Sequence, residues 1–505
     1  MKNIGIIELS TTHSCLHVAA VDENFAYKFI DKMEIPLRLN KDMENDGIIK
    51  PQRVNDCIRT LEVFKKICAM NKVADIIAFT TKTVRDAKNQ KSFLEEIYNT
   101  TGIRFRVLTE QEEIALVHSS VINTMDMPKG VIIDIQASEI NLIKYNRKTI
   151  LASQTLDFGA LDVAEIIEDE NLSPQDKMAQ MVSYVSEKLK DNEILAEVDE
   201  ETNVIGTGNS FINLSKICRL GKRYPFNSDH NLVVTDEDFV GAYNIVKGLD
   251  ISKTKKIKGI SEDRADLVAS GIATIKAFFD TLYQKQIVIC DTSLIIGMMY
   301  SAVISTMTDK PIQDILMYSL DCANIFHNEI FGSNRKIVDN AIKIYNELKV
   351  VHRFGKSQLR ILKIAAYMCN VGYSVKFDNF ERNNFSAIMN ADIYGASHKE
   401  IILAAFVATS QNLEEFDFST WVKYKEIVNV EEDDDVVRKL AVIVKIARLL
   451  DRTKTDVVED IICDILGDSV ILKVVTQGDS SVEVSEAMKA APDFKKAMKK
   501  ALQIL

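Results

Sequence analysis

The feature that most narrows the fold is a pattern that occurs twice. Residues 4–9 are an apolar run of strand length, 10–14 a polar turn, and 15–21 a returning strand with partial alternation. After the turn-rich joint Met125-Asp126-Met127-Pro128-Lys129-Gly130 the pattern starts again. Residues 131–135 are apolar, a polar turn follows, and 139–145 and 148–155 read as two further strands about an Asn-Arg turn. Between the two openings the periods alternate. Val54, Ile58, Leu61, Phe64 and Cys68 have helical spacing, 76–80 is strand-like, 91–100 helical, 105–108 strand-like and 112–123 helical. The second unit continues with helical patterns at 175–189 and 266–283 and strands at 203–205 and 287–289. Strands alternating with helices predict α/β layers in each unit, over residues 1–127 and 128–300.

From about residue 300 the strand signals nearly vanish. Residues 337–348, 358–369, 399–409 and 436–450 carry helical spacing, and Val437, Leu440, Ile443, Val444, Ala447 and Leu450 share one face of the last. A helical domain over 301–505 is expected, with 470–475 and 482–484 as a small terminal hairpin. Composition narrows the class. An apolar fraction of 47% excludes wholesale disorder. Lys and Arg number 62 against 73 Asp and Glu, a net −11, which argues against general nucleic-acid binding though not against a local basic groove. The apolar runs are short and broken by charge, so no membrane span is expected. The opening residues lack a signal-peptide pattern, and the eight cysteines have no metal-type spacing; both fit a cytoplasmic chain with reduced thiols.

Four turns in the α/β part follow strands and carry chemistry. The first is Glu8-Leu9-Ser10-Thr11-Thr12-His13-Ser14, whose hydroxyls and amides suit phosphate oxygens. The second, Thr81 to Ala87, offers Arg85 as a bidentate phosphate clamp. The third, Thr109-Glu110-Gln111-Glu112-Glu113, opens a helix, where the dipole alone favours acids. The fourth is Asp134-Ile135-Gln136-Ala137-Ser138-Glu139. Each, taken singly, is also an ordinary polar turn. Two basic stretches, 253–258 and 495–500, read equally well as solvated loop and wet helix face.

Taken together, the turns resemble those of the Ppx/GppA phosphatase family, the exopolyphosphatases and guanosine-pentaphosphate phosphohydrolases. Thr81…Arg85-Asp86-Ala87-Lys88-Asn89 is similar to that family's T-x-A-x-R-E-A-x-N. Glu112-Glu113 matches its acidic pair, and Asp134-Ile135 opens the counterpart of D-I-G-G-G-S. Ser153…Leu156…Gly159-Ala160, Gly206-Thr207-Gly208 and Ile257-Lys258-Gly259-Ile260…Arg264-Ala265-Asp266 match S-x-x-L-x-x-G-A, G-T-G-G and I-P-G-I…R-A-D in order. The resemblance covers nearly the whole chain. It implies a two-lobed α/β fold of the actin, Hsp70 and sugar-kinase type, closing on a cleft, followed by an all-α HD-like domain.

The departures bear on chemistry. The family's D-x-G-S-N-S loop reads Glu8-Leu9-Ser10-Thr11-Thr12-His13 here, and the three glycines of the second loop fall on Gln136, Ala137 and Ser138. Its Ser and Glu fall on Glu139 and Asn141. Side chains in place of glycine obstruct the approach of backbone amides to phosphate, and Glu139 repels a polyanion. The last glycine of the third loop is Asn209, which tolerates left-handed geometry. In the helical part, the family's metal-binding histidines fall on Asn334, Cys369-Asn370 and Asn383-Asn384, poor ligands for a dinuclear site. Leu450-Asp451-Arg452-Thr453 still resembles the family's L-D-R-S.

The resemblance implies hydrolysis of terminal phosphoanhydride bonds in inorganic polyphosphate or guanosine penta- or tetraphosphate. It assigns Glu112 as the base that activates water and Arg85 as the phosphate clamp. Ser10, Thr11, Thr12, Ser138, Gly206, Thr207 and Gly208 would line the phosphate site, and Glu8 and Asp134 would help hold Mg²⁺. Polyphosphate or a phosphorylated nucleotide is the implied partner, together with a second copy of the chain, since members with the helical domain are often dimers. The alternative is a non-catalytic member that binds a phosphorylated ligand or a protein. An actin-like sugar or acetate kinase fits less well, because Gly206-Thr207-Gly208 is only a fragment of an adenosine-binding motif.

Overall fold

Strand β1 (Lys2–Leu9) is apolar on both faces, with Ile4, Ile6, Ile7 and Leu9 all buried, so it requires cover above and below. It pairs antiparallel with β2 (His13–Val21), which pairs with β3 (Tyr27–Pro36). On its other edge β1 runs parallel to β4 (Asp75–Thr80), and β5 (Phe105–Val107) ends the sheet, in the order β3-β2-β1-β4-β5. Helix Pro51–Met70 covers one face with Val54, Cys57, Leu61, Phe64 and Cys68. Each such side chain contributes at most about 1.5–3 kcal/mol of transfer free energy.

The second sheet repeats this plan, as the restarted pattern predicts. Strand β6 (Lys129–Ile135) pairs antiparallel with β7 (Ile140–Asn146), which pairs with β8 (Thr149–Leu156). Strand β9 (Asn203–Thr207) runs parallel to β6 on the other edge. With β10 (Val233–Thr235) and β11 (Gln286–Ile289) the order is β10-β11-β9-β6-β7-β8. Helices Pro174–Leu189 and Val268–Thr281 pack on each other in its core. Helix Glu110–Ile122 lies against β7 and β8 while helix Leu294–Met298 lies against β1, and the two helices pack together between the sheets. Gly297 makes this crossing close: a Cβ there would run into the backbone of Leu116.

The chain is described here from a computed structural model, over residues 1–43, 46–167, 171–283, 285–305, 312–410 and 418–505. Both sheets belong to one compact unit, Met1–Tyr224 with Ser228–Gln313. A second unit comprises Pro225–Asn227 and Asp314–Leu505. Its principal helices are Arg335–Glu347, Lys356–Met368, His398–Thr409 and Val430–Leu449. The last begins on an Asn429 cap with Glu431, Glu432 and Asp433 in its first turn, where the dipole favours acids.

The second unit is not all-α, which corrects the expectation for residues 301–505. Strands β12 (Val458–Leu466), β13 (Ser469–Thr476) and β14 (Ala501–Ile504) form a sheet in that order. The terminal hairpin is also corrected. Residues 470–475 are strand, but they pair antiparallel with β12 across a turn at Gly467, whose φ of +54° suits glycine. Residues 482–484 lie in helix Ser481–Met488, where Glu483 is buried and Val482 faces out.

Candidate functional site

The turns singled out in the sequence sit at the carboxyl ends of the parallel pairs β1/β4 and β6/β9, the usual location of sites in α/β sheets. The turn after β1 is largely occupied with itself. Ser10 Oγ donates to the His13 carbonyl at 2.9 Å, and Thr12 Oγ1 lies 2.9 Å from His13 Nδ1. Thr11 Oγ1 lies 2.6 Å from Thr83 Oγ1 in the turn after β4. These three hydroxyls, expected to line a phosphate site, are all engaged within the protein.

Arg85 stands in the short helix Lys82–Asp86 just after β4 and faces two carboxylates. Its Nη1 donates to Glu113 and, at 3.2 Å, to the Leu108 carbonyl; its Nη2 donates to Glu139 Oε2 at 3.0 Å. Glu113 and Glu139 are 2% and 3% exposed. Burial, then the charge of Glu139, holds the Glu113 carboxyl well above the usual range, against the opposing pull of Arg85. The direction of this shift favours the protonated form of Glu113. Both Nη groups of Arg85 are thus occupied by carboxyl groups of the protein itself.

Glu112 does not join this group. Its carboxylate accepts from the Thr109 amide at 2.8 Å while the Glu112 amide donates back to Thr109 Oγ1 at 3.3 Å, a reciprocal cap on helix Glu110–Ile122. It also pairs with Arg106, and the cap bond to Thr109 is the main reason its pKa is lowered. Thus the acid brought to Arg85 is Glu113, one residue further on. The sequence held a signal for this: Thr109-x-x-Glu112 is a capping-box spacing, which ties Glu112 to the helix end.

Asp134 ends β6 and is buried, with Oδ1 accepting from Gln136 Nε2 at 2.7 Å and Oδ2 from Asn141 Nδ2 at 3.3 Å. Burial pushes its pKa up to about 6, against those two bonds. Burial chiefly, with help from the Asp134 charge, pushes Glu8 up to about 7. Gln136, standing where the family has glycine, thus folds its amide back onto Asp134. Ser138 lies half-buried in the same turn. The helix Ala160–Glu165 donates its first amides to the Gln136 and Ala137 carbonyls at 3.0 and 2.8 Å, which fixes the turn. At the end of β9, Gly206 packs under the Phe211 ring and Thr207 Oγ1 donates to the Thr292 carbonyl at 3.1 Å, and just beyond it Gly208 takes φ +89°. A Cβ on Gly208 would collide with the Ile135 carbonyl.

Further polar contacts tie the first sheet's lobe to the second's. His13 Nε2 lies 2.5 Å from Asp263 Oδ2, Arg38 reaches Asp266 at 2.8 Å, and Lys82 bridges Asp86 and Asp157 at 2.8 and 2.6 Å. Arg264 pairs with Glu34 and donates to Asn209 Oδ1 at 2.7 Å. Burial, then Arg264, lowers the His13 pKa. Among the described residues, no three or more His, Cys, Asp and Glu side chains are grouped to hold a metal ion, and no helix is long and apolar enough to cross a membrane.

Residues 17–306 match the model of the Ppx/GppA phosphatase family, more than half of the chain. The chain belongs to this family. Among curated relatives it is similar to exopolyphosphatase 1 of Mycobacterium leprae, 20% identical over 308 residues that cover 58% of this chain and 86% of the relative. It is also similar to exopolyphosphatase 1 of Mycobacterium tuberculosis, 21% identical over 272 residues, 51% and 76% of the two chains. Among solved structures, an exopolyphosphatase from Cytophaga hutchinsonii superposes with a TM-score of 0.55 at 21% identity, over 60% of this chain and 98% of the other. The Aquifex aeolicus Ppx/GppA family member does so with a TM-score of 0.52 at 17% identity, over 60% and 98%. These likenesses show the fold, and the two α/β lobes implied by the resemblance are observed.

Proposed function

We propose that this Ppx/GppA member is a slow phosphoanhydride hydrolase acting on inorganic polyphosphate or a guanosine penta- or tetraphosphate, with a cleft neutralised at rest by its own side chains. The pairing of Arg85 with Glu113 and Glu139 carries this reading. A terminal phosphate that enters must take the guanidinium from Glu139, and the loss of that pair opposes binding. Glu113, once ionised, is a carboxylate beside Arg85 that can accept the proton of an attacking water. Glu113 carries a raised pKa, so the rate should climb with pH.

Glu8 and Asp134 would hold Mg²⁺ together with phosphate oxygens, the usual arrangement of one or two carboxylates plus substrate for that ion. The pair fits a cation because the charge of Asp134 adds to the burial that raises Glu8, and a positive ion beside them lets both ionise. Bound there, the ion would neutralise charge on the leaving phosphate. A non-catalytic phosphate-binding protein is the second reading. It is favoured by the internal bonds of Ser10, Thr11, Thr12, Thr207 and Gln136, which leave few free donors.

Phosphate release from long-chain polyphosphate with Mg²⁺ separates the two. The hydrolase reading expects release by the wild type and its loss in Glu113→Gln. Binding of pyrophosphate without release, at any pH at which the protein stays folded, would establish the second reading instead.

A further inference from the structure

Inside the second unit, six segments bring polar side chains to one place outside the cleft already described. His327 comes from helix Ile325–Phe331, Asn334 from the cap of Arg335–Glu347, and Asn370 from the end of Lys356–Met368. Tyr373 lies in the turn Val371–Ser374, Arg448 in the last turn of Val430–Leu449, and Lys454 three residues past Asp451. The groups are linked. Asn370 Nδ2 and Lys454 Nζ both donate to Asn334 Oδ1 at 3.3 Å, Arg448 Nη1 donates to the Tyr373 hydroxyl at 3.4 Å, and His327 Nδ1 lies 3.1 Å from Ser374 Oγ.

Four atoms are left over. His327 Nε2, Asn370 Oδ1, Arg448 Nε and Asp451 Oδ2 are buried and have no hydrogen-bond partner in the protein, although His327 and Asn370 are themselves each 6% exposed and the Arg448 guanidinium lies over the Phe380 ring. Leaving such groups unmatched is costly, so a cluster of them points to a ligand. Their chemistry is mixed. Arg448 and Lys454 favour an anion, and Asp451, which pairs with Lys454 at 3.1 Å, offsets one charge. Asn370 Oδ1 requires a hydroxyl or amine donor. The Tyr373 ring is stacked on Phe377 at 5.2 Å, and Phe377 is 68% exposed, a free aromatic face at the rim.

An anion, a hydrogen-bond donor and a planar ring in one molecule describe a phosphorylated nucleoside. We infer that this cluster in the second unit binds a nucleoside monophosphate, with Arg448 and Lys454 on the phosphate, Asn370 and His327 on sugar or base polar groups, and Phe377 against the base. The inference is independent of the hydrolase reading, because none of these residues belongs to the Arg85 cleft.

The test is calorimetric titration of the full chain with GMP, AMP, guanosine and inorganic phosphate. One mole of nucleotide should bind per chain, more tightly than phosphate or guanosine alone. Lys454→Gln, at a side chain 41% exposed and therefore compatible with folding, should weaken nucleotide and phosphate by at least about tenfold. Phe377→Ala should weaken the nucleotide but leave phosphate unchanged. Three results would each overturn the inference: no binding of either nucleotide, guanosine binding as tightly as GMP, or nucleotide binding that survives Lys454→Gln and is lost in Arg85→Gln, which places it in the cleft. Phosphate binding that falls in Lys454→Gln, with no added affinity for nucleotide, would likewise overturn the nucleoside assignment.

Discussion

Replacing Glu139 by serine should release Arg85. At 3.0 Å and an effective dielectric constant of about 20, the Arg85–Glu139 attraction is about 5 kcal/mol before desolvation is counted. Most of this is offset in the folded protein by the cost of burying both groups. The phosphate ligand gains a charge-assisted hydrogen bond from the freed guanidinium, worth about 1.5–3 kcal/mol. At about 1.4 kcal/mol per decade, pyrophosphate should bind roughly 10–150-fold more tightly to Glu139→Ser than to the wild type. Folding should survive, because Arg85 keeps Glu113 and the Leu108 carbonyl. Calorimetric titration with pyrophosphate at several salt concentrations reads the affinity. A folded Glu139→Ser variant whose affinity matches the wild type within about twofold would refute the reasoning that Glu139 quenches the clamp.

Glu112→Ala should cost roughly 1 kcal/mol of stability through the lost cap, seen as a lowered melting temperature, and leave phosphate release unchanged; a loss of release with intact stability would restore Glu112 as the base. Asp134 is raised from 3.8 to about 6, so the folded state keeps a proton that the unfolded chain sheds above pH 4. Its contribution is complete below about pH 4 and falls away by roughly 3 kcal/mol up to pH 6, and Glu8 acts in the same direction up to about pH 7. Thermal scans should show the wild type losing stability from pH 4 to 7 and Asp134→Asn losing less; equal slopes would contradict this. Gly208→Ala should destabilise by more than about 1 kcal/mol, from its positive φ and the collision with Ile135, whereas Gly241→Ala, in open space on helix Asp236–Val246, should stabilise by roughly 0.5–1 kcal/mol.

The two-sheet plan was legible because the strand–turn–strand opening recurs at residues 4–21 and 131–155, and a pattern that repeats in sequence repeats here in pairing. The three-stranded sheet of the second unit was harder to read. Strand β12 mixes Glu459, Asp460 and Asp464 with its apolar residues, so its period blurs, and β14 joins β13 in parallel from some 25 residues away, which local pattern does not reveal. At the site, Arg85 and the acidic pair were visible, but neighbouring residues on a helix differ in direction by about 100°, so only the cap could say which acid turns inward. The partnership of Glu139 with Arg85 spans 54 residues and two lobes. Sequence reasoning makes Glu139 a charge that repels phosphate; the structure pairs it with Arg85.

Burial and the neighbouring Glu139 should keep Glu113 protonated at neutral pH beside Arg85. Infrared spectroscopy reads this directly, since a buried protonated carboxyl has a C=O stretch that is absent from carboxylates. The wild type at pH 7 should show such a band, part of which, beside that of Glu8, is lost in Glu113→Gln, and Glu139→Ser should lower the pH at which that part is lost. A wild-type spectrum at pH 7 in which Glu113→Gln removes no protonated-carboxyl band would contradict the account.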